Sequence, residues 1–344
     1  TAEALRVQLP GDAVLARIDG DTFAITAARA DPAALADELR AAIDLPVSFG
    51  IARAPQDGDD AEALLGAADV ALRIAKRTGK GRAVVYEGAP LTSSGADGAR
   101  AALGRLLRGE GLAMAVQPIV DPSTGDVHAY EALARFQTAG GQGPLHWFAL
   151  AEELGLRAEL ELACLEASLA LLDDLPAGTR LSVNLSAPML ADPRVTAVLA
   201  ARGRLDTLII EVTEGALATD DGTLMEQIAG LRERGARFAV DDIGAGYSGL
   251  GQIATLRPSY LKLDRMLVTG LHTDPARASL VAAMATYAAS TDALLVAEGV
   301  EEEAELEVLR GLGAPLIQGY LLSRPGPPWP TVTVPGVPAL RAAA

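Results

Sequence analysis

Between residues 112 and 318 the chain alternates short apolar runs with longer stretches of helical spacing. The runs predict strands near Ala113–Val120, Val127–Leu133, Leu181–Leu185, Thr207–Val212, Arg237–Asp242, Tyr260–Leu263, Leu294–Glu298 and Leu316–Gln318. Helices are expected in the intervening segments, for example Leu145–Leu154, Glu161–Leu172 and Glu301–Leu312. Eight strands with mostly helical crossovers predict an α/β fold, a (β/α)8 TIM-like barrel. Upstream, residues 1–86 read as a partial α/β domain. Strands are expected at Val14–Ile18, Phe23–Thr26, Val47–Ala52 and Ala83–Tyr86, with helices at Asp31–Ile43 and Ala61–Lys76. Residues 87–99 are rich in Gly, Ser and Pro and read as a linker, with a short amphipathic helix at Ala101–Gly109 leading onward. The barrel is expected to occupy residues 100–328. Residues 329–344, rich in Pro and Ala, read as a tail outside it.

Composition narrows the function. Half of the 344 residues are hydrophobic, enough for a substantial core. A net charge of −16 argues against a nucleic-acid polymer as partner, which would need a basic face. An anionic substrate would need a local reversal of field, which bound divalent cations supply. Cys164 is the only cysteine, so no internal disulfide forms and a reducing, cytoplasmic setting is expected. The longest apolar stretch, near Leu280–Ala289, is cut off by Asp292, and no membrane contact is expected in this segment. Thr1 is not a natural start, which leaves room for a preceding sensor or membrane segment.

The candidate chemistry lies at the strand ends. Asp241-Asp242 closes an apolar strand and precedes a glycine-containing loop, Ile243-Gly244-Ala245-Gly246-Tyr247-Ser248. Adjacent carboxylates repel unless cations sit between them, so the pair reads either as a metal site or as solvated acids capping the next helix. Other strand ends carry Glu131, Asn184, Glu211, Lys262, Glu298 and Gln318. Chemistry in such barrels gathers at the C-terminal strand ends. Five carboxylates meeting there (Glu131, Glu211, Asp241, Asp242 and Glu298) are costly without cations. All-oxygen ligands favour Mg²⁺ or Mn²⁺ over Zn²⁺. Each residue also has a structural reading: Glu131 and Glu211 paired with Lys262 or Arg135, Asn184 as a helix cap, Glu298 in a buried ion pair. His128, His146 and His272 are not grouped at metal-ligand spacing in the sequence. Trp147, Tyr247 and Tyr320 read as packing residues.

Gln117-Pro118-Ile119-Val120, Glu131-Ala132-Leu133-Ala134-Arg135, Asn184-Leu185-Ser186, Asp241-Asp242-Ile243-Gly244-Ala245-Gly246-Tyr247-Ser248, Lys262-Leu263-Asp264, Ala297-Glu298-Gly299-Val300-Glu301 and Gln318-Gly319-Tyr320 stand in that order. From Leu103 to Pro325 the chain thereby resembles the EAL domain family. The resemblance implies a bacterial phosphodiesterase that hydrolyses cyclic di-GMP to linear pGpG with two Mg²⁺ or Mn²⁺ ions. It implies Glu131, Asn184, Glu211 and Asp241 as ligands of one ion and Asp242 of the second. Lys262 and Glu298 would activate water, with Glu298 the general base, and Glu214 would anchor the Asp241–Ser248 loop. Arg135 would contact a substrate phosphate, Gln318 would be a ligand to water or metal at the substrate site, and Gln117 would face substrate. A homodimer through the barrel is also implied. The chain departs from the family at Ile243, Ala245, Gly249 and Ser259, which bears on loop packing and on the second ion. The alternative is a non-catalytic cyclic di-GMP receptor acting through a partner; a purely protein-binding scaffold is the third reading.

Upstream, Arg17-Ile18-Asp19-Gly20-Asp21-Thr22-Phe23 resembles the signature hairpin of GGDEF domains, the diguanylate cyclase family. Asp19 and Thr22 replace signature residues, no arginine stands in Leu9–Ala13, and the N-terminal portion of that domain is absent. A truncated, degenerate domain without cyclase activity is expected, either a relic or a regulatory platform; gating of the barrel through residues 87–99 is a subsidiary hypothesis.

Overall fold

The computed structural model describes residues 9, 13–19, 22–28, 31–42, 47–58, 61–77, 81–86, 93–137, 143–213, 223–244 and 250–337. The chain forms two compact units: residues 1–105 with 145–154, and residues 106–144 with 155–344.

In the first unit, β1 (Val14–Asp19) and β2 (Thr22–Thr26) form an antiparallel hairpin. A parallel pair, β3 (Phe49–Ile51) and β4 (Ala83–Val85), stands apart from it. The helix Pro32–Ala42 buries Leu35 and Leu39. The helix Ala61–Arg77 buries Ala67, Val70 and Ala71 around Tyr86. Gly50 lets that helix lie directly on β3, because a Cβ there would stand 2.0 Å from the Ala68 carbonyl oxygen. The helix Ser93–Leu107 begins inside the stretch read as a linker, whose Ser, Gly and Ala content masked it.

The second unit is a closed barrel of eight strands. In chain order they are β5 (Leu112–Val120), β6 (Val127–Phe136), β7 (Arg180–Asn184), β8 (Leu208–Thr213), β9 (Arg237–Ile243), β10 (Tyr260–Leu263), β11 (Leu294–Ala297) and β12 (Leu316–Ile317). All eight fall where the apolar runs predict them. Two helices between strands begin at an Asp cap followed by Pro. Asp192 accepts from the Arg194 N–H ahead of the helix Pro193–Ala201, and Asp274 from those of Ala276 and Arg277 ahead of Pro275–Ser290.

One strand departs from the uniform barrel: β5 runs antiparallel to both β6 and β12. The cause is the connection to β6. Residues Asp121–Asp126 form a tight turn, in which the Asp121 carboxylate accepts from the Ser123 N–H at 2.7 Å. A parallel pair would need a crossover of about a dozen residues.

Two apolar layers hold the barrel. The larger lies between strands and helices and includes Leu181, Val183, Ile210, Val212, Phe238, Val240, Leu261 and Leu295. The other fills the barrel itself: Ile119, Ala129, Ile209, Ala239, Tyr260, Val296 and Leu316. The segment read as an outer tail packs on the barrel as far as Val337. Val334 is 4% exposed, and the Trp329 ring meets Tyr130 edge-on at 4.9 Å. Proline content hid this, since proline excludes regular structure but not burial. Residues 338–344 lie outside the described residues. Among the described residues, no helix is long and apolar enough to cross a membrane.

Candidate active site

Side chains alternate in direction along a strand. Two positions beyond each interior apolar residue, the next inward position is therefore polar: Glu131 over Ala129, Glu211 over Ile209, Asp241 over Ala239, Lys262 over Tyr260. Gln117 comes from the reversed β5 and Asn184 from β7, while Glu298 and Gln318 directly follow β11 and β12. The eight side chains form one network. Gln318 Nε2 donates to Gln117 Oε1 at 3.0 Å and to Glu131 Oε2 at 2.8 Å. Asn184 Nδ2 donates to Glu131 Oε1 at 3.0 Å. Gln117 Nε2 reaches the Ser323 carbonyl at 3.1 Å.

Lys262 sits at the centre, 2% exposed. Its Nζ lies 2.6 Å from Glu211 Oε2, 2.6 Å from Glu298 Oε1, 3.0 Å from Asp241 Oδ1 and 3.5 Å from Glu131 Oε2. An ammonium has three protons, so it cannot direct one at each of four carboxylates. The bond to Glu211 is well aligned. Asp241 Oδ1 and Glu298 Oε1 are close in charge but receive no aligned hydrogen bond, and Gln318 Oε1 is also buried without a partner. The structural pairing of these acids with Lys262 is thus real, but one cation is too few.

The titration of the site follows. Burial pushes the Glu211 carboxyl up to about 8, aided by Glu131 and Asp241 and opposed by Lys262. Burial likewise holds Glu298 well above the usual carboxylate range, against the pull of Lys262. For Lys262 burial acts downward, but the charges of Asp241, Glu131, Glu211 and Glu298 outweigh it and raise the amine. Asp242 is raised to about 6 by partial burial and then by Asp241 and Asp264.

Adjacent residues of a regular strand point to opposite faces, yet the carboxylates of both aspartates come together beside Glu298. A bulge does this. Val240 pairs with Leu261 and Ile243 with Leu263, so Asp241 and Asp242 together oppose Lys262. Asp242 takes φ 57°, the left-handed region, which costs a non-glycine residue about 1 kcal/mol or more. One carboxylate oxygen from each of Asp241, Asp242 and Glu298 then lies within 4.8 Å of the others. The donor set is carboxylate and amide oxygen, without thiol or imidazole, and the buried oxygens of Asp241, Glu298 and Gln318 receive no aligned hydrogen bond. It fits a hard divalent ion such as Mg²⁺ or Mn²⁺.

Other predicted residues fall outside the network. Arg135 stands four residues along β6 from Glu131, half-buried, and its Nη1 donates to the Ala134 carbonyl at 3.0 Å. Glu214 and residues 245–249, including Tyr247, lie outside the described residues. Tyr320 is not a packing residue: it is 48% exposed, with the Arg324 guanidinium 4.4 Å from its ring centre. Trp147 is buried as expected. His272, ungrouped in the sequence, comes within ligand spacing of Glu302 and Glu305 in space. Glu305 is committed elsewhere: its Oε1 accepts from the Gly270 N–H at 2.8 Å, and its Oε2 from those of Glu301 and Glu302. Burial, aided by the charge of Glu161, lifts the Cys164 thiol to about 12, which disfavours the nucleophilic thiolate.

Gly319 sets how the two last strand ends meet. A Cβ there would stand 2.0 Å from the Val300 carbonyl oxygen, beside the Val300 N–H that bonds the Gln318 carbonyl at 3.1 Å. Gly319→Ala is expected to cost about 1–3 kcal/mol in urea denaturation; unchanged stability would show that the Val300 backbone can yield.

The fold and site define a class: a barrel enzyme-like scaffold whose mouth gathers carboxylates for divalent ions. The EAL domain model matches residues 100–325, and the chain belongs to the EAL domain family. It is 31% identical over 352 residues to cyclic di-GMP phosphodiesterase PdeR of Escherichia coli, covering 93% of this chain and 52% of that protein. It is 32% identical over 354 residues to the bifunctional diguanylate cyclase/cyclic di-GMP phosphodiesterase MucR of Pseudomonas aeruginosa, covering 95% of this chain and 51% of that protein. The chain thus spans about half the length of these relatives. Among solved structures, the MucR phosphodiesterase in complex with c-di-GMP superposes with a TM-score of 0.60 at 32% identity, over 67% of this chain and 98% of that one. Klebsiella pneumoniae BlrP1 with manganese and the same dinucleotide gives 0.58 at 34% identity, over 63% and 56%.

Proposed function

We propose that this chain hydrolyses cyclic di-GMP to linear pGpG with divalent metal ions. The observation that carries the reading is the ring of seven polar side chains around Lys262, in which the buried oxygens of Asp241 and Glu298 share one ammonium and receive no aligned hydrogen bond, and Gln318 Oε1 receives none. Glu131, Asn184, Glu211 and Asp241 would hold one Mg²⁺ or Mn²⁺ and Asp242 the second. Such ions lower the pKa of water, shield the phosphodiester and stabilise the leaving oxygen. The protein's own part is positioning and proton transfer. Glu298 offers its carboxylate to take the proton of the attacking water. Lys262 keeps Glu298 oriented through the 2.6 Å contact and neutralises charge as it builds. Arg135, free to turn from its neighbouring carbonyl, suits a phosphate oxygen. Gln117 and Gln318 fix the closing edge of the ring.

The test is to incubate the protein with cyclic di-GMP and Mg²⁺ and to chromatograph the nucleotides. Accumulation of pGpG is expected; binding without pGpG would establish a receptor instead. Glu298→Gln and Glu131→Ala are each expected to lower kcat at least about 1000-fold, about 4 kcal/mol of barrel-derived catalysis; near-normal rates in either would refute its role. We further place the reaction in the cytoplasm, with the barrel as a homodimer, and the first unit as a degenerate GGDEF-like platform that regulates the barrel. Light scattering tests the dimer. Deleting residues 1–99 without effect on activity, with and without GTP, would remove the regulatory role.

A further inference from the structure

The interior layer beneath the ring has one residue per strand: Ile119, Ala129, Ser182, Ile209, Ala239, Tyr260, Val296 and Leu316. Seven of them form the apolar cluster. The eighth, Ser182, is a fully buried hydroxyl. Size does not explain it, because Ala129 and Ala239 fill the small positions of the same layer. A buried hydroxyl costs free energy unless it is bonded. Its bond is specific: Ser182 Oγ donates to Glu211 Oε1 at 2.6 Å. It does not point to Asn184, which lies above it on its own strand, but across to β8.

Glu211 is thereby held at both oxygens, Oε1 by Ser182 from below and Oε2 by Lys262 at 2.6 Å. The two holds differ in kind. Lys262 is shared among four carboxylates, whereas Ser182 has one partner. We infer that Ser182 is a positioning residue that fixes Glu211 as a one-oxygen ligand, presenting Oε2 to a divalent ion. The hydroxyl bonds the ionised carboxylate, prevents its rotation, and leaves Oε2 aimed when the ammonium shifts toward its other partners. Partners of ligands behave in this way in metal sites generally, and their loss weakens affinity by about 10–100-fold.

This inference rests on the reading of Glu211 as a metal ligand, and the experiment separates the two. Mn²⁺ is titrated into the full chain by calorimetry, without substrate. Ser182→Ala is expected to weaken Mn²⁺ affinity about tenfold. Ser182→Thr, which retains the hydroxyl, is expected to recover most of it. Ser182→Cys keeps the volume with a weak donor and is expected to fall between, so the series remains decisive if threonine overpacks the layer. In a Glu211→Gln background, Ser182→Ala is expected to add little, because the two act as one unit. Wild-type affinity in Ser182→Ala, or full additivity with Glu211→Gln, would overturn the role of Ser182 alone. Absence of Mn²⁺ binding by the wild-type protein would overturn the metal reading, and the role of Ser182 with it.

Discussion

Lys262→Met is expected to destabilise the metal-free protein by about 3–5 kcal/mol at pH 8, the range for breaking a buried charge pair. Four carboxylates surround one ammonium. Methionine nearly matches the lysine in volume, so the loss reads charge rather than packing. The uncompensated acids must then repel or take up protons. The defect should therefore shrink at pH 5, where protonation removes the repulsion. Urea denaturation in EDTA at both pH values checks this. Equal stability of the two proteins at pH 8 would show that Lys262 is not the counter-ion of the ring.

The second large effect is a pH dependence opposite to that of most acid-rich proteins, reversed by metal. Burial pushes the folded Glu211 carboxyl up to about 8 from an ordinary value of 4.5. Glu298 is displaced in the same direction. Between the two values of Glu211, the folded state binds more protons than the unfolded state. Stability of the metal-free protein therefore falls as pH rises from 4.5 toward 8. Divalent ions bind the ionised carboxylates and release those protons. At one hundred times its dissociation constant, Mg²⁺ is expected to add about 2.7 kcal/mol. Thermal denaturation in EDTA should show a Tm lower at pH 8 than at pH 5.5, and Mg²⁺ should raise it most at pH 8. A metal-free Tm that climbs across this interval would refute the assignment of raised carboxyls.

The sequence made the ring legible because its logic is one-dimensional. Period-two alternation places Glu131 over Ala129 and Lys262 over Tyr260, and polar residues at the ends of apolar runs mark a barrel mouth. What depended on local geometry was less visible. The reversal of β5 was readable in the short connection Asp121–Asp126, since no crossover fits there. The bulge at Asp242 was not, because a left-handed aspartate has no signature beyond its neighbours. Ser182 looked like an unremarkable strand residue between Leu181 and Val183. Only the across-strand partner Glu211 gives it meaning, and register is invisible before the sheet is assembled. Val334 and Tyr320 reversed the usual expectation for their surroundings, one buried in a proline-rich segment and one open beside a buried glutamine.

The layer of Ile119, Ile209, Tyr260, Val296 and Leu316 under the ring has a kinetic corollary. It fills the barrel beneath the strand ends, so on the proposed reading substrate and product share the strand-end face. Accumulated pGpG is then expected to slow turnover in direct competition with cyclic di-GMP.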